Sequence, residues 1–174
     1  MKEGRKEGMT AMATVYYTEM KCPLGTLVLE SDGESLTRVR LPGEPEPATA
    51  SGDGDDRVRD AKPFKEATAQ LREYFAGTRR KFDLPLAPRG TPFQLKVWRE
   101  LRKIPYGSTI TYAVLAHRTG NDKACRAVGA ANGRNPLPII VPCHRVIGTD
   151  GSLTGFGGGI EAKHRLLKLE GAAD

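Results

Sequence analysis

The run Cys143-His144-Arg145 is the part of this sequence best equipped to do chemistry. A thiol becomes a nucleophile only when something favours the thiolate, and a neighbouring imidazole or cation does so. Upstream, Ile139, Ile140 and Val141 between two prolines predict a short buried strand with Cys143 just past its end. A cysteine in such a place is ordinarily an inert core residue. As a nucleophile it would need its sulfur held deprotonated. Neighbours on an extended chain point to opposite faces, so His144 is expected to reach the sulfur through one bridging water. Glu170 is the third candidate. It falls in the last turn of a predicted helix over 160–170, where a negative charge opposes the helix macrodipole. A frayed, exposed helix end accounts for it, and so does a carboxylate that orients His144 and stabilises the imidazolium.

The elements that must position these residues are legible in outline. Residues 14–41 alternate partly apolar runs with Pro- and Gly-containing turns, which predicts strands over 14–21, 26–31 and 36–41 joined as hairpins. Residues 42–60 hold Pro, Gly and six acids with almost no apolar residue, which predicts a flexible loop. Phe64, Ala67, Leu71, Tyr74 and Phe75 recur at helical spacing, so 63–76 is expected to be a helix ended by Gly77. At Thr91, Pro92 and Gln94 stand an N-cap, a proline at the first helical position and the partner of a capping box. The helix they start carries one apolar stripe of Phe93, Val97, Leu101 and Ile104, with Trp98 beside it, and stops at Pro105.

Two short predicted helices follow, 112–119 capped by Thr111 and 123–132 ending before Gly133, joined by Gly120-Asn121. That is a helix-turn-helix pattern. Its second helix has mostly tiny side chains and one long cation, Arg126. Tiny residues permit close packing inside a protein, and they equally make a helix thin enough for a DNA groove. The segment GTDGSLTGFGGG, 148–159, predicts a shaped loop. Three units are expected: a flexible tail over 1–12, an N-terminal α/β domain over 13–89, and a C-terminal domain over 90–174.

Composition narrows the class. With 39% hydrophobic and 28% charged residues, the 174-residue chain suits a soluble globular protein, and no apolar run approaches the roughly 20 residues of a membrane span. Residues 1–90 hold 15 Lys/Arg and 15 Asp/Glu, so the whole net charge of +6 lies in 91–174, as suits a polyanionic partner such as DNA. Cys22, Cys125 and Cys143 make an odd count with no CxxC spacing, and the N-terminus lacks an apolar signal core. Reduced thiols and a cytoplasmic location are expected, with no metal site.

PCHRV at 142–146, preceded by Asn135-Pro136 and by the RAVGAAN run, resembles the O6-alkylguanine-DNA alkyltransferases. The likeness covers about residues 14–171 and is strongest over 91–171. It implies an α+β fold of two subdomains, a ribonuclease H-like N-terminal sheet with a helix and a winged helix-turn-helix-like, mostly helical C-terminal domain. It also implies a monomer with no cofactor that acts on double-stranded DNA containing O6-alkylguanine, and with it O4-alkylthymine. Cys143 would be the alkyl acceptor, His144 the base acting through water, and Glu170 the end of the relay. Asn135 would brace the turn before the active-site segment. Arg126 would enter the duplex in place of the flipped nucleotide. Tyr112 would donate a proton to N3 of guanine and lie near the rotated phosphate. The carbonyls of Cys143 and Val146 would accept from the exocyclic amine, and Arg145 is counted with the DNA-binding residues.

Two positions depart from the family pattern. Phe156 stands where the best-known members have Tyr, so a hydroxyl is missing although a ring still walls the base pocket. Gly157 stands where several members have Ser, so a backbone N–H remains near guanine O6 without the side-chain contact. Neither change removes the reaction. The zinc-binding residues of some members are not recognisable around Cys22. A non-catalytic sensor of alkylated DNA would lack Cys143, and a cysteine hydrolase would not place its cysteine and histidine side by side next to a basic helix-turn-helix.

Overall fold

The computed structural model describes residues 13–46 and 56–174. The predicted tail, 1–12, lies outside them. Three antiparallel strands follow the hairpin pattern: β1 (Val15–Cys22), β2 (Gly25–Ser31) and β3 (Leu36–Arg40). β1 and β2 pair from Tyr16 opposite Ser31 to Cys22 opposite Gly25, and a bulge at Glu30/Ser31 shifts the β2–β3 register. The turn between β2 and β3 is held by the Asp32 carboxylate, which accepts the amides of Glu34 and Ser35 at 2.9 and 2.7 Å.

The expected loop over 42–60 needs correction. Arg57–Arg59 form β4, which pairs in parallel with β1 and completes the sheet order β3-β2-β1-β4. Nothing apolar marks this strand, since Val58 is 42% exposed. Backbone pairing holds it, together with Arg57, which meets Glu30 at 2.8 Å and stacks 5.0 Å over the Tyr17 ring. Residues 47–55 of that loop lie outside the described residues.

Helix α1 (Lys65–Phe75), entered through a 3-10 turn at Lys62–Phe64, has Phe64, Ala67, Leu71 and Tyr74 buried with Leu27, Leu29 and Val39 of the sheet in one core. Helix α2 (Pro92–Leu101) has the anticipated capping box, with Gln94 N bonded to Thr91 Oγ1 at 3.1 Å and Thr91 N to Gln94 Oε1 at 3.0 Å. It ends at Leu101, before Ile104, and Phe93 of the expected stripe is 38% exposed. Val97, Trp98 and Leu101 carry the burial, and Trp98 Nε1 donates to Ala131 O at 2.8 Å. That bond joins α2 to α4 (Cys125–Gly133), the second half of a helix-turn-helix whose first half is α3 (Tyr112–Arg118). Strands β5 (Ile110–Thr111) and β6 (Val146–Ile147) form a two-stranded parallel pair, and α5 (Ile160–Leu169) closes the chain. The molecule is therefore α+β, a small sheet with a helix followed by a mostly helical half. Among the described residues no helix is long and apolar enough to cross a membrane.

No strand forms at 139–141. The chain turns there, with Val141 N bonded to Leu137 O at 2.8 Å and Ile139 at φ 75°. A β-branched residue in the left-handed region costs about 1–3 kcal/mol. Burial of Leu137, Ile139 and Ile140 in the core makes the conformation tolerable. An apolar triplet between prolines reports burial and says nothing of extension.

Replacing Trp98 by Phe is expected to lower stability by at least about 2 kcal/mol, because the indole donor to Ala131 O is lost along with part of the buried ring volume. Urea unfolding measures it, and an unchanged midpoint would show that the bond contributes nothing.

Candidate active site

Cys143 lies on a 3-10 turn, Cys143–Arg145, that leads straight into β6. The expectation of an extended chain with alternating sides is thus replaced by a helical turn in which all three side chains are buried. Asn135 shapes the approach. Its Nδ2 donates to Val141 O at 2.8 Å and its Oδ1 accepts Leu137 N at 3.0 Å, so one side chain spans the reversal before the cysteine. The backbone of β3 holds the same loop, through Val39 N to Pro136 O at 2.8 Å.

The histidine and the carboxylate meet. His144 Nε2 lies 2.7 Å from Glu170 Oε1, and both side chains are fully shielded from solvent. Glu170 is the C-cap of α5, where Gly171 at φ 76° carries the chain out of the helix. Gly171 N bonds Lys168 O and Ala172 N bonds Leu167 O, the pairing of a Schellman cap. The cap fixes the end of the helix, and with it the carboxylate. Its opposition to the helix dipole is offset by Arg145, whose Nε and Nη2 contact Glu170 Oε2 and Oε1 at 2.9 and 2.8 Å. Arg145 Nη1 donates to Ile104 O at 2.7 Å. Expected on the DNA-binding surface, Arg145 is instead 6% exposed and committed to this network.

Protonation follows from burial. Burial pushes the Cys143 thiol up to about 11 from an ordinary 9.0, against the opposing pull of the Asn135 side chain and the Lys163 charge. The sulfur is therefore not held deprotonated in the protein without DNA, contrary to the sequence expectation. His144 is depressed, first by burial, although Glu170 pulls the other way. It is neutral near pH 7. Burial alone would raise the Glu170 carboxyl, but hydrogen bonds and charge from His144 and Arg145 outweigh it and bring it down to about 2. A neutral thiol thus stands beside a neutral imidazole backed by an ionised carboxylate. His144 Nδ1 is buried and has no hydrogen-bond partner among the described residues, which leaves it free to accept a proton.

Lys163 escaped the sequence reading. It is fully buried, with Nζ on Val146 O at 2.6 Å and Thr154 O at 2.9 Å and 5.9 Å from the centre of the Tyr112 ring. Its place three residues before Leu166 and four before Leu167, on the apolar stripe of α5, was the available clue. Tyr74 was read as core only, although a buried tyrosine needs an acceptor for its hydroxyl. The acceptor is Glu170 Oε1, at 2.7 Å.

The remaining candidates surround this centre. Tyr112 is half-buried at the start of α3, and its hydroxyl donates to Thr154 O at 3.1 Å. The Val146 carbonyl accepts Lys163 Nζ, while the Cys143 carbonyl already takes Asn132 Nδ2 at 3.3 Å and the Val146 amide. Phe156 is half-buried, and its ring edge and Leu41 crowd Gly158. A Cβ at Gly157 would collide with Glu44 Oε1, so the glycine leaves room for that carboxylate. Arg126 stands apart from the cluster, exposed in the first turn of α4. The small residues Ala127, Ala130 and Gly133 are exposed too, while Val128, Ala131 and Asn132 face inward. Ala127, Ala130 and Gly133 therefore thin the outer face of the helix, while Ala131 serves interior packing. Cys143 itself is 4% exposed. A neighbouring cavity of about 400 Å³ has Pro142 and Arg145 in its wall but not the cysteine.

Comparison with known proteins agrees with these features. Residues 15–88 match the family described as 6-O-methylguanine DNA methyltransferase, ribonuclease-like domain, and residues 92–172 match its DNA binding domain. The chain is 48% identical over 158 residues to the methylated-DNA–protein-cysteine methyltransferase of Methanosarcina acetivorans, covering 91% of this chain and 99% of that one. It is 46% identical to the constitutive methylated-DNA–protein-cysteine methyltransferase of Bacillus subtilis, covering 89% and 94%. The structure resembles that of Mycobacterium tuberculosis O6-methylguanine methyltransferase, with TM-score 0.83, 44% identity and coverage of 92% and 94%. It also resembles the Mycobacterium tuberculosis protein solved in complex with DNA, with TM-score 0.83, 46% identity and coverage of 89% and 92%.

In the protein without DNA, alkylation of Cys143 by iodoacetamide is expected to keep accelerating with pH and show no plateau below pH 10, because the thiol is pushed up to about 11. Peptide mass spectrometry separates it from Cys22 and Cys125. A plateau below pH 9 would show an ionised thiol and contradict this account.

Proposed function

The chain belongs to the 6-O-methylguanine DNA methyltransferase family and repairs DNA by direct reversal of damage, as a methylated-DNA–protein-cysteine methyltransferase, and we propose that Cys143 is the acceptor and O6-alkylguanine its substrate. One observation carries this assignment. His144 follows Cys143 on the same 3-10 turn and is clamped to Glu170 through Nε2, while its other nitrogen is buried and unpaired among the described residues.

The steps follow from the geometry. A base stacked in a duplex is out of reach of a thiol that is 4% exposed, so the nucleotide must leave the stack, at roughly a few kcal/mol. Arg126, exposed on the thin face of α4, fills the gap. The flipped base then enters toward Cys143. Entry also removes water, which favours a concerted transfer over a standing thiolate. The thiol proton passes through a bridging water to His144 Nδ1, and Glu170 stabilises the imidazolium. The sulfur attacks the alkyl carbon, the carbon–O6 bond breaks, and its electron pair stays on guanine. Tyr112 protonates N3 of that leaving group. The Lys163 ammonium, 5.9 Å from the ring centre, favours loss of the phenol proton. The Val146 carbonyl, which Lys163 Nζ also contacts, accepts from the exocyclic amine.

The product is a thioether with no good leaving group, so each molecule acts once and no cofactor takes part. A monomer suffices, since every residue invoked comes from one chain. The reading extends to O4-alkylthymine, which presents an alkyl group on an equivalent exocyclic oxygen, and to a cytoplasmic setting that keeps the thiol reduced.

Mixing with duplex DNA containing O6-methylguanine is expected to add one methyl group per chain, on the peptide containing Cys143, and none in Cys143→Ala. Intact-mass and peptide analysis reads it, and a methyl group found on Cys22 or Cys125 would remove the assignment. Arg126→Ala is expected to slow repair of duplex DNA at least tenfold while leaving reaction with a free O6-alkylguanine base unchanged. Equal losses on both substrates would place Arg126 outside flipping.

A further inference from the structure

Tyr74 lies in α1, 96 residues before Glu170 in the chain, and is completely buried. Its hydroxyl donates to Glu170 Oε1 at 2.7 Å. The same oxygen receives His144 Nε2 at 2.7 Å and Arg145 Nη2 at 2.8 Å, whereas Oε2 receives only Arg145 Nε at 2.9 Å. Three donors on one oxygen share its charge, and each weakens what the others receive. From this geometry we infer that Tyr74 is a positioning residue for the transfer site: by sharing Glu170 Oε1 with His144, it sets how firmly the carboxylate supports the imidazolium.

This rests on reading His144 as the base. It gives the N-terminal half a direct part in the chemistry, because the sheet and α1 deliver a donor to a carboxylate on α5. The ring of Tyr74 is independently held, against Phe75, Phe82 and Tyr106 with centroids 5.2, 5.4 and 6.2 Å away. Packing and hydrogen bonding are therefore separable, and Tyr74→Phe removes only the second. The other ionisable groups facing the cluster are Arg145 on the 3-10 turn, Lys163 on α5 and Tyr106.

The experiment follows the His144 imidazole by NMR in the protein without DNA, so it does not depend on alkyl transfer. Tyr74→Phe frees Oε1 for His144 and is expected to raise the His144 titration midpoint by about one pH unit. The ascending limb of the pH profile for methyl transfer from O6-methylguanine DNA moves up with it. In a Glu170→Gln background the same change at 74 is expected to do nothing further. Fluorotyrosine at 74, a stronger donor, is expected to move the midpoint down, and it decides the matter if Tyr74→Phe does not fold. A midpoint that is unmoved in both variants, or that moves equally with and without Glu170, overturns the inference. Failure of the wild-type chain to methylate Cys143 would instead overturn the functional reading and leave the titration result standing.

Discussion

One carboxylate organises this molecule. Glu170 accepts from Tyr74, His144 and Arg145, and so ties α1, the 3-10 turn of the cysteine and the end of α5 to a single point. A buried negative charge at a helix C-terminus is unfavourable three times over: it loses hydration, opposes the helix dipole, and has no solvent screening. The Arg145 fork and two further donors offset that. Removing Arg145 would leave that charge uncompensated in the interior, which is why the arrangement constrains everything around it.

The same burial explains why the site is quiet without DNA. It raises the thiol, lowers the imidazole, and leaves the proton on sulfur. The thiol therefore rests in its unreactive form. A thiolate exposed to solvent would react with any electrophile, and a chain that can react only once has no margin for that. Asn135 and Lys163 supply the modest counter-pull that keeps ionisation within reach.

Around this centre the fold places rigid supports and one compliant part. The capping box at Thr91, the Trp98 bond to Ala131 and the Schellman cap at Gly171 fix α2, α4 and α5. The segment from Thr154 to Gly159 has little apolar anchorage beyond Phe156. Its contacts are Tyr112 and Lys163 on Thr154 O, and the close approach of Gly157 to Glu44. The outer face of α4 is the reverse: an exposed run of small residues with one long cation.

By itself the sequence determined whatever depends on near neighbours. The hairpins, the helix starts at Thr91 and Thr111, the helix-turn-helix and the Cys-His pair are all set by residues within about four positions of each other. Arg57–Arg59 escaped because a strand held by backbone pairing and one arginine carries no apolar pattern. The triplet at 139–141 misled because burial and extension look alike in three residues. Tertiary structure alone decided that Glu170 is buried and not frayed, that Arg145 is buried against it, that Tyr74 reaches it, and that the thiol keeps its proton. Each of these depends on groups tens of residues apart and on exclusion of water, and neither distance in space nor dielectric environment is written in local spacing.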